Sequence, residues 1–125
     1  MALDPQRSVE PGEIFWVDIP HRAGSEQSGR RMCVSISRKT LTGGNTLVMV
    51  PITTNLSRAN KHRIAIPKSE IIIDVGYQSE NVDCVAICSQ VTTIDKQYIE
   101  NRVGKLSANA VLAIQLGLTF VFDIQ

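Results

Sequence analysis

Three short segments of this 125-residue chain gather the side chains best able to do chemistry. The first, Gly24-Ser25-Glu26-Gln27-Ser28-Gly29-Arg30-Arg31, sets a carboxylate, an amide and two guanidiniums among glycines that accept hinge-like backbone angles. A purely structural loop has little use for so many polar groups. The second, Pro51-Ile52-Thr53-Thr54-Asn55, is a place where an apolar run opens into hydroxyls and an amide. The third, Ser89-Gln90-Val91-Thr92-Thr93-Ile94-Asp95, has the same mixed character. Guanidiniums and hydroxyls aimed at one point hold a phosphate or similar oxyanion, and a carboxylate beside them can move a proton. Turn and capping chemistry accounts for Thr53, Asn55 and Asp95 equally well, so composition alone leaves both readings open.

The charge total argues against an anionic partner, but its distribution does not. Thirteen Lys/Arg against twelve Asp/Glu give a net charge of +1. Residues 1–68 hold ten basic and five acidic residues, whereas residues 69–125 hold three basic and seven acidic. The basic half contains Arg30-Arg31, Arg38-Lys39 and Arg58/Lys61/Arg63, groups that can line a phosphate-attracting surface or stand as solvated loop charges.

Several classes are excluded. There is no phosphate-binding glycine loop ending in Lys-Ser/Thr, no dinucleotide fingerprint and no nucleophile elbow. Three cysteines cannot all pair, so Cys33, Cys84 and Cys88 read as small core residues in a reducing, cytoplasmic setting. With only two histidines and no metal-ligand spacing, neither a metal nor another cofactor is expected. The longest apolar run, Leu47 to Ile52, is far short of the ~18 residues of a membrane span, so no membrane partner is expected.

The elements that must position these groups are mostly strands, since Ile, Val and Thr make up 34 of the 125 residues. Residues 1–11 read as a flexible leader and residues 12–125 as one domain. Strands are predicted at Glu13–Ile19, Met32–Ser37, Thr46–Ile52 and His62–Ile66, with Thr46–Ile52 apolar enough to be central. Ser69–Ile73 is either a strand or a helical turn, and Asp83–Ile94 one bent strand or two short ones. Asp95 reads as the N-cap of a short helix over Lys96–Asn101, followed by a strand at Arg102–Leu106. Ser107 caps the clearest helix, which Gly117 weakens before a terminal strand at Thr119–Ile124. The fold class is α+β: a small antiparallel barrel or strongly bent sheet with a C-terminal helix, the alternative being an open antiparallel sheet.

The string GSEQSGRR, entered from GEIFWVDI, resembles the first signature of the MazF/PemK family of toxin endoribonucleases. PIT at Pro51–Thr53, DCVAICSQVTTIDK at Asp83–Lys96 and VGKLS at Val103–Ser107 follow in the family's order, so the resemblance runs from about Gly12 to Leu118. It implies an SH3-like β-barrel with a C-terminal helix (MazF/PemK/CcdB-like), a homodimer, and metal-independent cutting of single-stranded RNA. A small cognate antitoxin is the implied inhibitor. Carried over by position, Arg31 and Thr53 are the catalytic residues, and Glu26 is the expected proton acceptor unless it merely pairs with Arg31. Ser25, Gln27, Arg30, Thr54, Asn55, Gln90 and Thr92 are the expected substrate-binding residues, with Ser57 and Asn60 as further base readers.

The sequence departs from the family in three places. Met32 stands where a proline is usual, and Thr92 replaces a basic residue that some members use in catalysis, as Ser25 replaces a histidine. Ser69–Glu80 is longer than expected. His21 and His62 offer an acid–base pair of another type, but no family motif places a catalytic histidine at either position. The competing functions are a non-catalytic toxin of the same fold that poisons DNA gyrase, and a degenerate homologue that only binds a partner.

Overall fold

The computed structural model describes residues 7–19, 29–37, 44–56, 63–76 and 82–122. Among the described residues there are eight strands: β1 (Glu13–Ile19), β2 (Gly29–Ser35), β3 (Thr46–Thr53), β4 (Arg63–Ile66), β5 (Ile71–Ile73), β6 (Cys84–Ile87), β7 (Thr92–Asp95) and β8 (Ile99–Leu106). One α-helix, α1 (Ala108–Val121), ends the described chain. The sheet is antiparallel in the order β4-β6-β3-β2-β1-β8-β5, with β7 paired to β3 beside this path. Among the described residues β4 and β5 are its two edges, so the sheet bends strongly without closing.

The central strand, β3, sets the bend. One edge pairs with β2 through Met49–Pro51. The opposite edge pairs first with β7, through Thr46–Met49, and then with β6, through Ile52 and Thr53. Pro51 has no N–H to give to a ladder, and it stands just before β6 takes over from β7.

Alternation along the strands builds a core on each face. Ile14, Val34, Val50 and Ile52 belong to one, which α1 covers with Ala110, Ile114 and Leu118. Phe15, Val17, Cys33, Leu47 and Met49 belong to the other, closed by Ile94 and Ile99. A strand buried on both faces must be apolar throughout, which is why Leu47–Ile52 has no polar residue.

Two close approaches depend on glycine. A Cβ on Gly104 would overlap the Ile72 carbonyl oxygen where β5 lies against β8. A Cβ on Gly117 would come within 2.8 Å of Ile64 and 2.9 Å of the Cys88 sulfur, so Gly117 lets α1 settle onto β4 rather than weakening it.

The structure corrects several expectations. Residues 7–11 are not loose. Val9 is fully buried in the second core, Arg7 pairs with Glu13 at 2.7 Å, and the buried Lys96 ammonium donates to the Arg7 carbonyl at 3.1 Å. Residues 1–6 lie outside the described residues. The helix expected over Lys96–Asn101 is a single 3₁₀ turn, Lys96–Tyr98, capped by the Asp95 carboxylate on the Gln97 N–H, because Ile99 is needed in the second core. Across Thr119–Val121, where a terminal strand is expected, α1 continues instead, and residues 123–125 lie outside the described residues. Ile114, Leu118 and Val121 recur at helical spacing against the first core, and the Thr119 hydroxyl donates to the Leu116 carbonyl. Asp83–Ile94 forms two strands separated by a 3₁₀ turn at Cys88–Gln90. The long segment after Pro67 builds a 3₁₀ turn, Lys68–Glu70, and then β5.

Candidate active site on β2 and β3

The Cys33–Pro51 pair is the last rung of the β2–β3 ladder. Two residues beyond it on each strand, and on the same face by alternation, stand Arg31 and Thr53. Both are half-buried, at the point where each strand emerges from the second core. Arg31 lies across from Val17 on β1. Its positive charge is felt by Cys33: burial pushes that thiol up to about 12, and Arg31 pulls against the rise. The Thr53 hydroxyl accepts the Asn55 N–H at 3.2 Å, tightening the turn out of β3 and leaving its own proton to donate elsewhere. A guanidinium fork and a hydroxyl donor on one face suit the non-bridging oxygens of a phosphate.

Arg30 is turned the other way. Its guanidinium lies 4.2 Å over the Trp16 ring and bonds Glu100 of β8 at 2.7 Å, on the face of the first core. The doublet therefore does not form one cationic pocket. Thr54 and Asn55 are exposed in the turn after β3, and Thr54 borders a cleft with Leu56, Lys68, Val82 and Asp83. Thr92 pairs with Met49 on the face that carries Thr53, but four residues away along β3, roughly 14 Å. Gln90 sits in the turn before β7, and its side-chain oxygen is buried with no hydrogen-bond partner among the described residues. Ser25, Glu26, Gln27, Ser57, Asn60, His21 and His62 lie outside the described residues.

Cys84 and Cys88 are free thiols in the first core, and burial raises both, Cys88 to about 11. Among the described residues no cluster of three His, Cys, Asp or Glu could hold a metal, and no helix is long and apolar enough to cross a membrane. Sequence reasoning missed the Trp16–Arg30–Glu100 stack. The two-residue periodicity would have separated Arg30 from Arg31, but Glu100 reaches them only through the pairing of β1 with β8.

A bent, open antiparallel sheet with a C-terminal helix carries an arginine–threonine pair at one end of its central ladder. The chain belongs to the PemK-like, MazF-like toxins of type II toxin–antitoxin systems, whose family model matches residues 10–122. It is 25% identical over 119 residues to endoribonuclease MazF9 of Mycobacterium tuberculosis, covering 90% of this chain and 95% of that protein. Its fold is similar to that of MazF from Deinococcus radiodurans, with a TM-score of 0.71, 16% identity and coverage of 94% and 99% of the two chains. It is also similar to a mycobacterial endoribonuclease solved in complex with its cognate antitoxin, with a TM-score of 0.69, 13% identity and coverage of 94% and 98%.

Proposed function

We propose that this toxin is an endoribonuclease that cuts single-stranded RNA, acting as one cytoplasmic toxin domain that takes in Val9 as well as residues 12–125. The observation that carries the reading is the placement of Arg31 and Thr53 on one face at matching positions of β2 and β3. RNA brings its own nucleophile, the 2′-hydroxyl. A proton acceptor, a donor to the leaving 5′-oxygen and donors to the pentavalent phosphate complete the requirement. Arg31 binds the developing charge as a bidentate fork and Thr53 donates to a non-bridging oxygen. Glu26 takes the 2′-hydroxyl proton, because an arginine stays protonated. As the P–O2′ bond forms the P–O5′ bond breaks, and the leaving 5′-oxygen takes a proton from water, so the products are a 2′,3′-cyclic phosphate and a 5′-hydroxyl. The substitution at Thr92 leaves this pair untouched, since Thr92 is a long step away along β3.

Two partners accompany the reading. A small antitoxin occupies the RNA site, in line with the antitoxin complex of the similar mycobacterial protein. A second copy of the toxin covers α1, whose exposed side carries Leu112, Leu116 and Phe120 at four-residue spacing and no charged residue along the helix. Primer extension on a long RNA, in EDTA, tests the activity. Discrete cuts that vanish in Arg31→Ala are expected. Absence of cuts from the unaltered protein, with gyrase trapped on DNA instead, would overturn the reading.

A further inference from the structure

On the outer side of the β3–β6–β4 sheet, Thr53, Val85 and Ala65 form one cross-strand row. The turn after Thr53 carries Leu56 over this row. Leu56, Ala65, Pro67 and Val85 then wall an apolar cavity of about 160 Å³. It adjoins a wider, more polar cleft of about 480 Å³, where Lys68, Val82 and Asp83 form the rim. Leu56 and Val82 remain 48% and 40% exposed, large apolar side chains left uncovered over a buried floor. The Asp83 carboxylate is fixed there by the Lys68 N–H at 2.7 Å. A carboxylate offers about four acceptor positions, and this bond takes one.

Apolar walls, an anchored carboxylate and a lysine at the rim match the parts of a nucleotide. A flat base face packs on the aliphatic side chains, a base edge carrying N–H donors meets Asp83, and the flanking phosphate meets Lys68. The row starts at Thr53, so a base lodged here belongs to a nucleotide close to the bond being cut. We infer that this cleft is a specificity subsite that takes one unstacked RNA base through an amino-bearing edge, as in guanine, cytosine or adenine. The inference rests on the ribonuclease reading above. Asp83 and Ala65 set which base is accepted, while Arg31 and Thr53 act on the phosphate whatever the base.

The test is the sequence profile of cleavage on a long RNA, mapped by sequencing the new 5′ ends, for the unaltered toxin, Asp83→Asn and Ala65→Leu. Asp83→Asn replaces an acceptor-only group with one that also donates. Ala65→Leu fills the cavity from an exposed position without entering either core. Both variants should relax or change the preference at one and the same position of the cut motif. On oligonucleotides differing only at that base, the kcat/KM ratio should fall by roughly ten- to a hundredfold. Unchanged profiles in both variants overturn the subsite while leaving the ribonuclease standing. Absence of cutting by the unaltered toxin overturns both.

Discussion

The neighbouring arginines, Arg30 and Arg31, should behave as opposites. Arg31→Ala removes a guanidinium from the face proposed to hold the phosphate. Loss of one preorganised donor of this kind lowers kcat by about 10²- to 10³-fold. Arg31→Lys keeps the charge but loses the fork and should fall between the two. Arg30→Ala instead removes a stack on Trp16 and an ion pair with Glu100, on the other face. An exposed cation–π contact contributes about 0.5–1 kcal/mol and a surface ion pair about 0.2–1 kcal/mol. The Arg30 side chain is 53% exposed, so the total belongs near the lower end, about 1 kcal/mol. For a domain of this length that lowers Tm by about 3–5 °C, less at high salt. Single-turnover cleavage of a fluorescent oligonucleotide reads the first quantity and thermal unfolding reads the second. Arg31→Ala should unfold near the unaltered Tm while losing activity, and Arg30→Ala should lose less than tenfold in activity while melting earlier. If Arg30→Ala matches Arg31→Ala in lost activity at an unchanged Tm, the assignment of the two guanidiniums to opposite faces is wrong.

Three further outcomes follow from the packing. Gly104→Ala should push β5 off β8 and lower the unfolding free energy read by urea titration by about 1–3 kcal/mol, the scale of overpacked sites, because its Cβ meets backbone that cannot rotate away. Cys33 and Cys88 stay protonated in the folded state up to about 12 and 11, whereas the unfolded thiols ionise near 9.0. Above pH 9 the unfolded state therefore loses protons that the folded state keeps. Stability should fall by about 1.4 kcal/mol per pH unit for each thiol, a slope that urea titrations of Cys33→Ala should show reduced. Leu116 is 61% exposed within one copy, so Leu116→Lys should keep the native circular dichroism spectrum while shifting a dimer to monomer in light scattering; a persistent dimer would rule out α1 as the interface.

The sequence revealed those parts of the fold whose pattern is local. Clean alternation marks β1 and β3, and Ser107 marks the start of α1, its hydroxyl accepting the Ala110 N–H. Val9 escaped because a single apolar residue in a polar stretch carries no periodicity; only its place in the second core, built from distant strands, reveals that it is buried. Thr119–Ile124 misled because its alternation is local, whereas the contact of Leu118 and Val121 with the first core keeps the chain helical to Val121. Of the candidate site, Arg31 and Thr53 were legible through motif, but their shared face needed the β2–β3 register.

That register explains why the two residues stand where they do. Along β3 the residues from Met49 to Ile52 are buried and Thr53 is the first to emerge; along β2 Cys33 to Ser35 are buried and Arg31 lies just outside them. Both cores grip these strands from either side, so the ladder fixes the two side chains at the exact margin where apolar packing ends and an anion can approach. A site held on strands rather than loops keeps its geometry without substrate. The same margin limits what the strands can supply. A proton acceptor has to reach the 2′-oxygen from a second direction, and the segment between β1 and β2 that bears Glu26 is the one that joins the strand of Arg31 to its neighbour. In the proposed mechanism, phosphate binding falls to the strands of the sheet and proton transfer to the segment that bears Glu26. It follows that Glu26→Gln should lower kcat with little change in KM, whereas Arg31→Ala should alter both.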